Sequence, residues 1–401
     1  MPIPGEMKLS WIFKRLLLGC LTATLTLASE PAIAGKRSVP PPANDAERLA
    51  RLCAEVAAAF DSARGGFVSR NGTPSESAVE LGLGLGRTAD GAEWRSRALA
   101  TMNWTAGLMD TIGGGFAERR AASGADGEAF SMRTDVNARR LDNLITAWKT
   151  TGNERWRRDA VRVVGFFDRI LLDGRGGFVA AQVGDRTLVP AANGFAIRAW
   201  LRWAAANRDP RFRDFALKSI DRVWETDFDP IGVLLQRGDF GEVTKSPQLA
   251  DQVEMGRALV LASQLCGRPQ DLARARALAL VMVAKFEDRQ RGGFMTEATP
   301  KKDGTIRRAA REAGENGRAA LFLRELSAVT GEPAWGDAAS RTVAAFDQEH
   351  EKSGLEAADW AMAVNAALAP ERPARPDWPT VASMEPPATP SVIRFKLPRK
   401  R

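Results

Sequence analysis

The feature that most constrains this chain is a short phrase, an acidic residue followed within a few positions by Gly-Gly-Phe, that recurs along the sequence. Clear copies lie at 60–67, 109–116, 171–178 and 286–294, and looser copies at 224–234 and 346–355. The acidic residues that mark the six copies are Asp61, Asp110, Asp173, Asp227, Asp288 and Asp347. A period of about 50 to 60 residues is typical of a repeat architecture, so we predict six structural units.

Each phrase lies between two helical patterns of different kinds. Starting from Trp156, apolar residues recur at i+4, i+7, i+8 and i+11, which is the pattern of an amphipathic helix with one buried face. After the phrase, residues 195–206 are apolar on nearly every side, as expected for a helix surrounded by other helices. Short polar turns such as 151–156 and 330–335 then begin the next amphipathic helix.

Six units of two helices predict an all-α fold, an (α/α)6 toroid of six helical hairpins whose inner helices form the wall of a central pit. Glycine suits a helix end that reverses through positive φ, and the phenylalanine is expected to fill the space between neighbouring hairpins. The Gly-Gly-Phe loops precede the inner helices, so we expect these longer loops to form the mouth of the pit. Short β-hairpins are predicted in them, with turns at Gly184-Asp185 and Asp303-Gly304.

The N-terminal segment has the pattern of a secretory signal peptide. Basic residues precede an apolar run at 16–28, and Ala-Ile-Ala follows at 32–34. We therefore expect cleavage near Ala34 and a periplasmic or secreted protein. The apolar run is too short to span a bilayer, so no stable membrane insertion is expected.

The remaining boundaries follow from composition. The C-terminal segment is rich in proline, ends in basic residues and has no helical period, which indicates a disordered tail. The predicted division is a signal peptide at 1–34, a proline-rich linker at 35–44, the barrel at 45–370 and the tail at 371–401.

Composition narrows the function classes. The net charge is +8, but basic residues are scattered among acidic ones, so no nucleic-acid partner is expected. The chain has a single histidine, His350, with three cysteines and no tyrosine. These counts argue against a His/Cys metal site and a Ser-His-Asp triad, and no phosphate loop or dinucleotide fingerprint is present. We predict no metal and no cofactor, which leaves carboxylates as the proton carriers.

Carboxylates and amides gather at the predicted starts of the inner helices, which the toroid would bring around one pit. Such residues also stabilise helix N-termini, so each has a structural explanation of its own. Convergence of several carboxylates raises some of their pKa values and leaves a proton for acid catalysis, as glycoside cleavage requires. The predicted acid and base are Asp142 and Asp251, with Glu80 and Glu315 in reserve. The predicted substrate-binding residues are Asn143, Asn193, Asn316, Asp135, Glu254, Asp359 and, for stacking on a sugar ring, Trp360.

Five segments carry a resemblance to a known family: 65–85, 109–116, 139–156, 187–204 and 249–267. Together they resemble the six-hairpin glycosidase-like barrel of thioredoxin-domain-containing (YyaL-type) proteins. They are more distantly similar to the barrels of N-acylglucosamine 2-epimerases and unsaturated glucuronyl hydrolases. The resemblance covers about residues 60 to 370 and implies the same toroid. The polar pit positions that it carries over are Asp142, Asn143, Asn193, Asp251 and Asn316.

The chain departs from that family in two respects. A predicted signal peptide stands where the family has its thioredoxin-like domain, so no redox role is implied. Residues 135–138, Asp-Val-Asn-Ala, stand where the family has His-Phe-Glu-Lys. Two functions therefore remain open: an exported carbohydrate-active enzyme, with hydrolysis of a sugar or uronate favoured, or a non-catalytic periplasmic module that binds a glycan or a protein partner.

Overall fold

A computed structural model describes residues 44–119, 132–183, 186–230, 232–238, 241–298, 310–347 and 353–368. The predicted signal peptide, the tail, His350 and the two predicted hairpin turns lie outside these ranges. Within them, twelve α-helices alternate between an outer and an inner position. The outer helices are α1 (Asp45–Ala58), α3 (Ala92–Thr105), α5 (Glu154–Phe166), α7 (Pro210–Asp227), α9 (Pro269–Val281) and α11 (Pro333–Ala344). The inner helices are α2 (Glu76–Leu85), α4 (Thr134–Thr151), α6 (Pro190–Asn207), α8 (Leu249–Cys266), α10 (Ala313–Thr330) and α12 (Ala357–Leu368).

The inner helices form a closed ring. Each packs against the inner helix of the next unit, and α12 returns to pack against both α1 and α2. Two outer helices, α5 and α9, continue as π-helical turns at Phe167–Leu171 and Met282–Phe286. Short 3-10 turns lie at Ala106–Leu108 and Gly354–Glu356. The all-α (α/α)6 toroid predicted from the repeat is confirmed.

The mouth loops contain isolated antiparallel β-bridges rather than strands in the described part of the chain. Leu172 pairs with Phe178, and Glu287 pairs with Phe294, across the Gly-Gly-Phe turn. The turns of the predicted β-hairpins, at 184–185 and 303–304, lie outside the described residues, so these hairpins stay a prediction.

The glycine and phenylalanine of the phrase have the predicted roles. Gly177 has φ 95°, a conformation that only glycine adopts without strain. Phe178 is completely buried, and its ring lies 5.1 Å from that of Trp200 and 5.4 Å from that of Phe215. The aromatic residue thus fills the space between an inner and an outer helix.

In four of the described loops, a buried amide of the following inner helix clamps the loop backbone, whereas in the first loop Phe67 N donates to Thr101 Oγ1. Asn193 Oδ1 accepts a hydrogen bond from Phe178 N at 2.8 Å, and its Nδ2 donates to Phe178 O at 2.9 Å. The same exchange joins Asn137 to Phe116, Asn316 to Phe294 and, in the looser fourth copy, Gln252 to Leu234. The buried backbone groups of a loop need such partners.

This clamp includes two of the residues predicted to bind substrate. Asn193 and Asn316 are fully buried, and the second amide hydrogen of each donates to a backbone oxygen four residues earlier. Both amide hydrogens are therefore used inside the protein. These two side chains hold the loops of the mouth.

We expect Asn193→Ala to lower the free energy of unfolding by about 2 kcal/mol, because it leaves the buried Phe178 N–H and C=O without partners. Urea unfolding of the variant would measure this. Asn103→Ala is the matched control, since Asn103 is exposed and bonds only a solvent-facing arginine. A loss at Asn193 no larger than the loss at Asn103 would contradict the clamp.

Candidate active site

A cleft of about 310 Å³ opens at the mouth, where α2, α4 and α12 begin. Its lining includes Glu76 and Ser77 of α2, Asp135 and Arg139 of α4, and Asp359 of α12. Two of the residues predicted to bind substrate, Asp135 and Asp359, thus line one cleft. The toroid brings them together although they are far apart in sequence.

Other charged side chains lie on later turns of the inner helices, deeper than this cleft. Because the inner helices begin at the mouth, residues three or four positions further along lie about one turn deeper. Glu80 is therefore one turn below Glu76 and Ser77, and Arg139 is one turn below Asp135. Asp142 lies a further turn down.

Deep in the pit, most charged side chains form ion pairs. Arg318 Nη2 donates to Glu254 Oε2 at 2.8 Å, and Arg318 Nη1 lies 3.2 Å from Asp359 Oδ1. Arg257 Nη2 lies 2.7 Å from Glu325 Oε1. Charges can remain in such a buried place only when they are paired in this way.

The first-choice acid and base are both engaged in the protein's own structure. Asp142 is buried and forms an ion pair with Arg202. Asp251 has no exposed surface, and its two oxygens accept hydrogen bonds from Ala191 N at 2.9 Å and Gln236 Nε2 at 3.0 Å. Burial raises the pKa of Asp251 to about 6. Asp251 therefore holds the start of α6 and has no surface from which to reach a ligand in the pit.

Glu80 has the opposite character, because part of its side chain is exposed. Its side chain is 28% exposed, and no described residue donates a hydrogen bond to it; the closest cation is Arg198 Nη2 at 3.9 Å. Burial would raise the pKa of Glu80, but nearby guanidinium groups outweigh this effect and lower it to about 2. Those groups belong to Arg257, Arg198, Arg318 and Arg139. Glu80 is thus an ionised carboxylate with unused acceptor capacity.

Glu315, on the first turn of α10, is a carboxyl group that holds its proton. Burial, together with the charges of Glu312, Asp251 and Glu254, raises the pKa of Glu315 to about 7. Its Oε2 is buried without a hydrogen-bond partner among the described residues. Glu80 and Glu315, which were predicted as reserves, are therefore the carboxyl groups whose protonation suits a base and an acid.

The other predicted binding residues have mixed surroundings. Asn143 donates to Glu76 Oε2 at 3.0 Å and so positions a cleft carboxylate. Glu254 is held by Arg318, as described above. Trp360 is fully buried, with its ring 4.8 Å from that of Phe346, so it packs in the core instead of presenting a face to a sugar.

Sequence reasoning missed the arginines of the pit. Arg139, Arg257 and Arg318 follow Asp135, Glu254 and Glu315 by four, three and three residues. That spacing places each arginine on the same helix face as its acid, which was a usable signal. Phe195 was also missed: it is half-buried in the pit, with Arg318 Cζ 4.7 Å from its ring centre.

A buried carboxyl next to this region should make stability depend on pH. Burial and the charge of Asp251 raise the pKa of Asp227 from an ordinary 3.8 to about 7. Between about pH 4 and pH 7 the folded state keeps a proton that the unfolded state has released, so unfolding free energy falls as pH rises.

We expect Asp227→Asn to remove about 2 kcal/mol of that decline. Urea unfolding at several pH values would test this, with the exposed Asp214→Asn as control. An unchanged pH dependence in Asp227→Asn would show that Asp227 is not the group responsible.

Within the described ranges, no three His, Cys, Asp or Glu side chains are grouped so that they could hold a metal ion. None of the described helices is long and apolar enough to cross a membrane.

Comparison with known proteins identifies the fold. No family model matches the sequence, and a search of curated proteins gives no match. Among solved structures, the chain is similar to a D-mannose isomerase, with a TM-score of 0.67, 12% identity, and coverage of 82% of this chain and 99% of the isomerase. It is also similar to a GH76 α-mannanase from Bacteroides thetaiotaomicron (TM-score 0.62, 13% identity, 81% and 95% covered). A third is a cellobiose 2-epimerase from Spirochaeta thermophila (TM-score 0.57, 15% identity, 74% and 84% covered).

The class defined by these likenesses is the six-hairpin glycosidase-like (α/α)6 barrel. This chain has that fold, as the resemblance in its sequence predicted.

Proposed function

We propose that this protein is an exported carbohydrate-active hydrolase that cleaves a sugar or uronate in the pit of its barrel. The observation that carries the proposal is the contrast between two carboxyl groups of the pit. The pKa of Glu80 is lowered to about 2, so that it is ionised, and the pKa of Glu315 is raised to about 7, so that it keeps its proton up to about that pH. Environments that separate two carboxyl pKa values in this way define an acid and a base.

In the proposed reaction, Glu315 donates its proton to the glycosidic oxygen that leaves. Glu80 acts on the other side of the sugar, either by activating water or by attacking the anomeric carbon. The nearby arginines keep Glu80 ionised, and Asp135 and Asp359 in the cleft offer acceptors for hydroxyl groups. The similar barrels support the substrate class, because an isomerase, an epimerase and a mannanase of this fold all have sugars in their names.

A second candidate is a non-catalytic periplasmic module that binds a glycan or a protein partner. It is favoured by the ion pairs that occupy Asp142, Glu254 and Asp359, since side chains that neutralise one another stabilise a barrel without turning over a substrate. Location outside the cytoplasm is part of both proposals and is supported by the signal-peptide pattern.

Melting temperatures of the purified protein with neutral sugars, amino sugars and uronates would test sugar binding. A ligand present at a hundred times its Kd adds about 2.7 kcal/mol to stability and should raise the melting temperature. We expect one class to do so and to be cleaved when offered as a glycoside. A shift without cleavage would favour the glycan-binding module, and no shift with any class would contradict both sugar proposals.

A further inference from the structure

Arg139 is placed to contact a ligand in the cleft. It lines the cleft, half-buried, on the second turn of α4. Its Nη2 donates to Ser77 Oγ at 2.5 Å, and its Cζ lies 5.3 Å from the ring centre of Phe195. Ser77 in turn donates to Asp359, so the guanidinium is fixed from one side.

Arg139 differs from the other arginines around the cleft because most of its donors are unused. Arg140, the next residue, donates three hydrogen bonds, to Glu76 Oε1 and to two backbone oxygens of the loop before α4. Arg318 is paired with both Glu254 and Asp359. Arg139 uses one of five N–H donors and has no ion pair with any residue in the described ranges.

The charges around Arg139 favour an anion at its depth in the pit. Arg139 is among the four guanidinium groups that lower the pKa of Glu80 to about 2 against the effect of burial, so the local potential is positive. Of the acids in the cleft, Glu76, Asp135 and Asp359 are each paired with an arginine.

Two acids of the lining, Glu118 and Glu356, have no ion pair in the described part of the chain. They would favour a cation instead, which makes an amino sugar the competing ligand.

We infer that Arg139 binds the carboxylate of an acidic sugar, so that this cleft accepts a uronate in preference to a neutral sugar. A planar guanidinium with two adjacent free donors matches a carboxylate in bidentate geometry. This inference rests on the proposed function, because it names the substrate class of the same cleft.

The test compares D-glucuronate with its uncharged methyl ester by calorimetric titration of the wild-type protein. We expect the acid to bind about tenfold or more tightly than the ester, the effect of a hydrogen bond to a charged group. Arg139→Gln should abolish that difference, because the acid then loses the group that favours it over the ester. Arg175→Gln, which removes the same charge from an exposed arginine that does not line the cleft, should keep it.

Other results distinguish failure of this inference from failure of the proposed function. Equal binding of acid and ester, or tighter binding of glucosamine than of glucuronate, would overturn the inference and leave a sugar site intact. No binding of any of these sugars would overturn the proposed function as well. The acid and ester comparison needs no variant, so it decides the question even if Arg139→Gln does not fold.

Discussion

Replacing Glu315 with glutamine should lower the turnover of a sugar substrate by about 10²- to 10⁴-fold, the range for loss of a general acid. The amide cannot donate a proton to the leaving oxygen, although it fits the same space. Folding should survive, because the change removes a buried carboxyl whose Oε2 has no partner among the described residues. In the wild type, turnover should fall as pH rises through about 7, where Glu315 loses its proton.

Glu312→Gln makes the same chemical change at an exposed position three residues earlier and should keep turnover, but because the charge of Glu312 helps to raise the pKa of Glu315, turnover should fall at a lower pH than in the wild type. Glu80→Gln should match Glu315→Gln, since both members of the pair are required. Turnover that is unchanged in Glu315→Gln but lost in Glu312→Gln would show that Glu315 is not the acid. Unchanged turnover in all three variants would remove the pit carboxyls from the reaction.

Alanine at Gly194 should cost about 3 kcal/mol or more of unfolding free energy. A Cβ at this position of α6 would lie 2.4 Å from the carbonyl carbon of Glu254 in α8. Backbone cannot move aside as a flexible side chain can, so the two inner helices would have to separate, and overpacking of this kind is costly. The same separation would displace Glu254 from its partner in the pit.

Gly84→Ala provides the matched control for Gly194→Ala, because it lies within α2 with no atom within 4 Å of a new Cβ. Alanine is the better helix former, so this variant should be as stable as the wild type or more stable by up to about 1 kcal/mol. Equal stabilities of the two variants in urea would show that α6 and α8 are not in close contact at Gly194.

The fold could be predicted from the sequence because its determinants are local and repeated. Gly177 indicates a turn and Phe178 a side chain buried between helices, and every copy of the phrase needs both. Six copies at a regular period predict a closed ring. The buried amides were harder to interpret. Asn193 lies at a helix start near the pit, and nothing in the sequence shows that its side chain turns back to the loop at Phe178.

The candidate site could be predicted only in part, for a related reason. Sequence placed Asp135 and Asp359 at one mouth, because the fold alone brings them there. It gave no means to choose between Asp142 and Glu80, which both face inward on neighbouring helices. That choice depends on which of the two carboxylates forms the ion pair with Arg202 of α6. Pairing between helices is set by how the barrel packs.

A crystal structure of the Glu315→Gln variant, soaked with the sugar that raises the melting temperature most, would test the central claim most directly. The account predicts the sugar in the pit, with a hydroxyl or the anomeric carbon next to the Glu80 carboxylate and the glycosidic oxygen next to position 315. A sugar bound on the outer helices, or in the cleft with neither position in contact, would contradict it.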